Sequence, residues 1–319
     1  MDMQPSPTAR TRIELVDVAR GLALVAMAIY HFVWDLDFFG YIDPGTSITG
    51  GWRIFARCIA ISFLFIVGVS LHLANRQGFR RQSYIRRLAM ILAAALVITV
   101  ATLLATPDVF IFFGILHHIA LASVLGLAFL RLPFVLLIVS ALAAVVLPHV
   151  IEGGIFNHWP LWWTGLSTNV RASSDYVPLF PLFGVVLFGI ATAKVAEQAG
   201  WTARLAALEW PDRIPVLGWI GKHSLAFYLV HQPILISLVW LFAQVSPPPT
   251  PDQGALFLNS CNAECVSFRD EMFCNSYCGC LLDKAEANGF LDQLFAPEAA
   301  TTSRLQDMAN MCLMEHSER

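Results

Sequence analysis

Apolar residues run along this chain in long blocks, and the blocks set the first expectation. A helix that crosses a bilayer needs about 20 mostly apolar residues. Seven stretches qualify, near residues 15–35, 54–74, 87–106, 110–130, 133–150, 178–197 and 216–243. The pattern predicts an all-α, polytopic membrane helix bundle of about seven spans over residues 1–245. Met1 to Thr11 is polar and proline-bearing, and the span that follows has no A-x-A-like cleavage site. The first span is therefore expected to stay and act as its own signal.

The polar positions between the blocks give an orientation, because Lys and Arg collect in cytoplasmic loops. Arg10 and Arg12 precede the first span, and Arg76, Arg80, Arg81, Arg86 and Arg87 lie between the second and third. Arg131 separates the fourth from the fifth, and Lys194, Arg204, Arg213 and Lys222 lie between the sixth and seventh. The opposite loops hold little positive charge: the turn at Thr106–Asp108 has none, and residues 151–177 offer Arg171 alone. Arg53 and Arg57 depart from the pattern. The N-terminus is expected inside and the C-terminus outside.

After Val245 the pattern changes. Residues 246–256 form a Pro-rich linker, beginning Ser246-Pro247-Pro248-Pro249. Residues 257–319 hold six of the seven cysteines: Cys261, Cys265, Cys274, Cys278, Cys280 and Cys312. The C-x-x-x-C spacing at 261/265 and 274/278 puts each pair on one helical face, as in a disulfide-tied helical hairpin. A zinc site is the rival reading, but the tail has a single histidine, His316, and lacks C-x-x-C pairs. An even cysteine number in an extracytoplasmic segment favours disulfides, so no metal is expected. Cys58, inside the second span, reads as a buried apolar residue.

Composition sharpens the class. The chain is 57% hydrophobic and 13% charged, against roughly 25% charged in soluble domains. A net charge of −3 without a basic stripe argues against nucleic acid as a partner. Membrane lipids are the expected surroundings, and an oligomer is left open.

Ionisable side chains inside a bilayer are costly, so each is a candidate for function. The first span holds Asp17, Arg20 and His31, with Asp35 one turn further on. Arg20 and His31 lie eleven residues apart on one face, about 16 Å along the axis. The fourth span carries His117 and His118, and the seventh carries Ser224, Tyr228 and His231 at helical spacing, followed by Gln232-Pro233. Pro233 removes a backbone donor and is expected to kink the helix. Three histidine positions on three spans fall at comparable depth. A lone membrane histidine is more often a hydrogen-bonded packing residue, and it is the coincidence of depth that favours function. His72 and His223 read as interfacial, and His149 and His158 as loop residues. The Arg76–Arg87 cluster follows from the charge rule alone, with a phosphate-docking surface as its sharper reading.

Leu15-Val16-Asp17-Val18-Ala19-Arg20-Gly21-Leu22-Ala23-Leu24, with His31 eleven residues after Arg20, resembles the first-helix signature of transmembrane acyltransferases. It is most similar to bacterial relatives of heparan-alpha-glucosaminide N-acetyltransferase, the DUF1624 group. Gly218-Trp219-Ile220-Gly221-Lys222-His223-Ser224, continuing to His231-Gln232-Pro233, resembles that group's last-helix motif, and Ser174–Gly184 its loop-to-helix stretch. The likeness covers about residues 12–243. It implies an acetyl group passed from cytoplasmic acetyl-CoA, a co-substrate, to a glycan or amino-sugar acceptor outside. No histidine occurs between Phe32 and Leu71, where the lysosomal relative has its proposed active histidine.

Acyl transfer needs a base for the acceptor and donors for the tetrahedral oxyanion. His31 is the expected base, with Asp35 as its orienting carboxylate. His231, Tyr228 and one of His117 or His118 line the site or serve the oxyanion. Arg20, held by Asp17, faces the CoA end, with Arg76, Arg80, Arg81, Arg86 and Arg87 near its phosphates. The main rival is a transporter or flippase in which the same residues line a conduit, followed by a haem protein and a sensor.

Overall fold

A computed structural model of the chain describes residues 13–207, 215–249, 253–266, 268–291 and 300–317. Arg10, Arg12, Arg213 and the beginning of the linker-to-tail passage at residues 250–252 lie outside the described residues. The described chain is all-helical and divides into two compact units, one ending at Ser246 and one beginning at Pro247.

The first unit contains α1 (Glu14–Phe38), α2 (Gly50–Asn75), α3 (Arg81–Ala105), α4 (Ile115–Phe129), α5 (Phe134–Val150), α6 (Phe183–Gln198), α7 (Trp201–Ala207), α8 (Pro215–Lys222) and α9 (Ser224–Val245). A helix occupies each of the seven apolar stretches. Of these, α1, α2, α3 and α9 are long and apolar enough to cross a membrane by themselves, while α4 and α5 are shorter apolar helices. The outer faces of α3 and α5 expose Leu96, Val97, Leu104, Val135 and Val139. Apolar side chains turned outward suit a lipid solvent, in which they carry no hydration cost.

Glycines decide how closely the helices approach. On α6, eight of sixteen residues are buried, and Gly189 lies against the Phe65 carbonyl while Gly68 of α2 lies against that of Val186. The same reciprocal arrangement joins α1 to α8: Gly21 faces the Leu217 carbonyl and Gly221 the Asp17 carbonyl. Close backbone packing through small residues is how helices associate where lipid removes the hydrophobic drive.

Three boundaries differ from the apolar pattern, each for a backbone reason. Residues 110–114 are irregular, not helical, and this stretch pairs with the loop before α6: Ser174 N–H donates to the Val109 carbonyl at 2.8 Å and Val177 N–H to that of Phe113 at 3.1 Å. Residues 178–182 precede α6 as an irregular segment, in which Leu179 and Phe180 N–H groups donate to Trp163 and Thr164 carbonyls at 2.9 and 2.8 Å. Pro178 and Pro181 have no N–H to give a helix there. The last stretch breaks at His223, between α8 and α9, while α9 runs on through Pro233. Cys58 is exposed on α2 and not buried as expected; its apolar thiol faces outward, where lipid is the compatible neighbour.

The second unit contains α10 (Gln253–Cys265), α11 (Glu271–Ala287) and α12 (Ala300–Ser317). Disulfides join Cys261 to Cys278 and Cys265 to Cys274, stapling α10 to α11, and Cys280 to Cys312, stapling α11 to α12. The two C-x-x-x-C pairs thus pair face to face, as the hairpin reading expects. Leu281, Phe290 and Met308 form a small core around the third bridge. Asp270 caps α11 by accepting the Phe273 N–H at 3.0 Å. Helix α10 begins inside the stretch assigned to the linker.

Candidate active site

Helix α1 passes through the site from end to end. Near its start, Arg20 Nη1 donates to the buried Asp17 carboxylate at 3.0 Å. Its Nη2 donates to Ser70 Oγ of α2 at 2.8 Å, and Nη1 also reaches the Gly221 carbonyl of α8 at 3.5 Å. One guanidinium therefore ties three helices together, as the close approach at Gly21 and Gly221 permits.

A cavity of about 370 Å³ adjoins Arg20. Arg20, Arg87, Lys222 and His223 supply its polar end, Leu24, Phe63, Met90 and Ile119 supply apolar wall, and Tyr228 lines it together with Ile115. A second cavity of about 160 Å³ shares Arg87 with the first and adds Arg80 and Tyr84. Of the arginine cluster, Arg80 and Arg87 thus line cavities, whereas Arg76, Arg81 and Arg86 line neither. Lys222 and His223, loop charge and interface by the sequence pattern, both line the cavity at the break between α8 and α9. His72, also expected at the interface, is buried and paired with Glu197 of α6 at 2.7 Å.

Above Tyr228 stands a histidine pair. The rings of His31 and His231 meet edge to face with centroids 5.0 Å apart. Nδ1–H of His231 donates to the Tyr228 carbonyl at 2.8 Å, and its buried Nε2 has no partner among the described residues. That bond sets the tautomer, so the Nε2 lone pair is the free one. Asp35, fully buried one turn beyond His31, accepts from Gln232 Nε2 at 2.7 Å. The expected Asp35–His31 bond is therefore absent among the described residues: the α1–α9 packing presents Gln232 to the carboxyl instead.

The two histidines of α4 divide as their 100° separation requires. His117 Nδ1 accepts the Gly114 N–H at 3.2 Å, and its Nε2 lies 3.2 Å from Thr99 Oγ1. One nitrogen caps α4 and the other ties it to α3, so both are engaged in a structural role. His118 is fully buried, with Nδ1 3.1 Å from the Pro178 carbonyl and Nε2 unpartnered among the described residues. Neither ring is in contact with the His31–His231 pair among the described ring contacts.

Asp175, which was not singled out from sequence, comes from the loop before α6. Its Oδ2 accepts the Ile115 N–H at 2.9 Å, at the start of α4. Gly114 makes room: a Cβ there would lie 2.4 Å from that oxygen. Asp175 thus fastens its loop to the first turn of α4. Burial pushes it up to about 6, against the opposing pull of the Ile115 N–H. Its neighbour Tyr176 donates to the Trp162 carbonyl at 2.7 Å and is pushed up to about 12 by burial. Only the loop's likeness to a family segment hinted at this residue, since nothing in its spacing connects it to α4. Among the described residues no three His, Cys, Asp or Glu side chains come together in a metal-holding group.

The site thus sets a cavity lined by cations, apolar side chains and a tyrosine beside a histidine pair in which His231 keeps a free lone pair. No curated protein and no solved structure matches the chain. Residues 12–233, more than half of the chain and including every element of this site, match the family described as "Heparan-alpha-glucosaminide N-acetyltransferase, catalytic". The chain belongs to that family of membrane acetyltransferases.

Proposed function

We propose that the protein takes an acetyl or related acyl group from acetyl-CoA on the cytoplasmic face and transfers it to a sugar or glycan acceptor on the outer face. The observation that carries this reading is a cavity lined by Arg20, Arg87, Lys222 and Tyr228, with the Tyr228 ring 5.7 Å from that of His231 and His31 beside it. The cations suit the phosphates of CoA, for which Lys and Arg are the ordinary partners. The apolar walls suit the thioester arm.

In this reading the acceptor enters from the outer side and loses its proton to the histidine pair as it attacks the thioester carbonyl. The Tyr228 hydroxyl donates to the oxyanion that forms. Collapse breaks the C–S bond, and the departing thiolate takes the proton from the histidine. His31 keeps the role of base, with the tautomer-locked His231 beside it. Asp17 holds Arg20, and Asp35 positions rather than reacts. His118 keeps the Asp175 loop against α4, and His117 caps that helix. The likeness to bacterial relatives favours a bacterial inner membrane, and the distribution of Lys and Arg favours the disulfide-tied unit outside, where disulfides persist.

Calorimetry on the purified full chain in detergent tests the reading, with free CoA as comparison. Acetyl-CoA is expected to bind in the micromolar range, and Arg87→Ala or Lys222→Ala to weaken it by about tenfold, the worth of one charge-assisted contact. His31→Ala is expected to bind acetyl-CoA normally and to lose roughly 10²–10⁴-fold in transfer, the usual share of a general base. Full transfer by His31→Ala removes its assignment as base. Absence of acetyl-CoA binding by well-folded protein removes the function and favours a transport pathway.

A further inference from the structure

The bond between Asp35 and Gln232 leaves two atoms over. Gln232 Nε2 donates to Asp35 Oδ1 at 2.7 Å, while Asp35 Oδ2 and Gln232 Oε1 are both buried and without a partner among the described residues. These are the second oxygens of two groups already joined. If Asp35 were a carboxylate, both would be acceptors with no donor, in a place with no solvent contact for the carboxyl. A buried ionised carboxyl normally has a cation or several N–H donors. Neighbouring acids show the difference. Asp37 accepts from Gly45 N–H, Ser47 N–H and Ser47 Oγ at 3.0, 2.8 and 2.6 Å, and Asp17 faces Arg20 at 3.0 Å. Asp35 has Gln232 alone, with His31 one turn before it on α1 and His231 beside Gln232 on α9, and no ion pair is formed to it among the described residues.

We propose that Asp35 is held as a neutral carboxylic acid in a two-bond ring with the Gln232 amide. Its Oδ2–H donates to Gln232 Oε1 while Gln232 Nε2–H donates to Oδ1. One proton satisfies both orphan oxygens at once. The ring fastens α1 to α9 at the level of the histidine pair and withholds a negative charge that would draw a proton onto His31 or His231. Asp35 is thus a positioning residue that keeps the histidine lone pairs available. The ring itself is independent of the acyl-transfer reading; its service to the histidines rests on that reading.

Infrared difference spectroscopy on the full chain in detergent at neutral pH tests the ring directly. Wild type is expected to show the C=O stretch of a protonated carboxyl above the amide band, shifted by deuterium exchange and absent from Asp35→Asn. Gln232→Leu is expected to keep the band but move it upward, because the acid has lost its partner. Asparagine can complete the same ring, with its Nδ2–H replacing the acid proton. Asp35→Asn is therefore expected to recover most of the thermal stability, and of the transfer to the probe acceptor glucosamine, that Asp35→Leu loses. The loss in Asp35→Leu should reach about tenfold in rate, as for a displaced base. No carboxyl band in folded wild type, with carboxylate bands lost in Asp35→Asn, overturns the proposal. So does an Asp35→Asn protein as unstable as Asp35→Leu. A wild type that shows the band but binds no acetyl-CoA retains the ring and removes only the acyl-transfer reading.

Discussion

Gly221 is the position where a single methyl group should do the most damage to the site without touching a candidate reacting group. A Cβ built on it falls 1.8 Å from the Asp17 carbonyl oxygen, and the reciprocal Cβ on Gly21 falls 2.1 Å from that of Leu217. Both obstacles are helix backbone, which cannot rotate away. Gly221→Ala must therefore push α8 off α1 by more than about 1 Å, an overpacking that costs about 1–3 kcal/mol. Opposing this, alanine gains about 0.5–1 kcal/mol over glycine within a helix. The steric term wins. At about 2–4 °C per kcal/mol for a unit of this size, the midpoint of thermal unfolding in detergent should fall by several degrees. The contact from Arg20 Nη1 to the Gly221 carbonyl, already 3.5 Å long, should be lost, and with it part of the cationic mouth. Acetyl-CoA affinity should fall in parallel. Gly218 on the same helix is the control, since nothing lies within 4 Å of its Cβ; Gly218→Ala should be neutral or slightly stabilising. Equal midpoints for the two variants would refute the close-approach argument.

The Asp175 carboxyl, raised by burial to about 6 from its ordinary 3.8, makes the folded protein bind a proton that the unfolded chain releases. Stability should therefore fall as pH rises from about 4 to about 6 and stay lower above that. Asp175→Asn, which keeps an acceptor for the Ile115 N–H, should flatten that decline; parallel midpoint-against-pH curves for the two proteins would contradict it. In the disulfide-tied unit, the 280–312 bridge closes a sequence separation of 32 and the 265–274 bridge one of 9. Chain entropy makes the longer loop worth about 1 kcal/mol more. Limited proteolysis in rising urea should open Cys280→Ser/Cys312→Ser at lower urea than Cys265→Ser/Cys274→Ser, and the reverse order would count against loop entropy as the dominant effect.

The helices were legible because lipid imposes one demand on every span, an unbroken apolar length. Where that demand fails as a guide, the reason is local. Phe110 to Gly114 and Pro178 to Leu182 are as apolar as their helices, yet they are irregular because their backbone groups find partners on other loops, Phe113 at Val177 and Leu179 and Phe180 at Trp163 and Thr164. Hydropathy records the burial of such a segment and not its conformation. The break at His223 was likewise invisible, whereas Pro233, the obvious breaker, sits within a continuous α9. Nearby polar groups and an unbroken outer half tolerate one missing N–H there. The glycines at 21 and 221 stood inside the recognised motifs, but their use needs the partner helix, which no single-helix pattern contains.

The site was legible to the extent that depth alone determines contact. His31 and His231 meet because their spans run the same way and their positions fall at one level. Rotation about each helix axis is a second coordinate, and the sequence carries it only in part. It decided that Asp35 takes Gln232 rather than His31, that His117 spends one nitrogen on the α4 cap and the other on Thr99 of α3, and that Lys222 and His223 line a cavity. Asp175 needed a third coordinate, a loop returning across 60 residues to the start of α4. Each of these placements replaces a charge-based guess with a hydrogen-bond count, and that count separates the roles. A histidine with both nitrogens engaged can hold a helix but not accept a proton. His231, with one nitrogen engaged and one lone pair free inside the bundle, can accept one; His31 lies against it, and the ring of Tyr228, which lines the larger cavity, stands 5.7 Å from it.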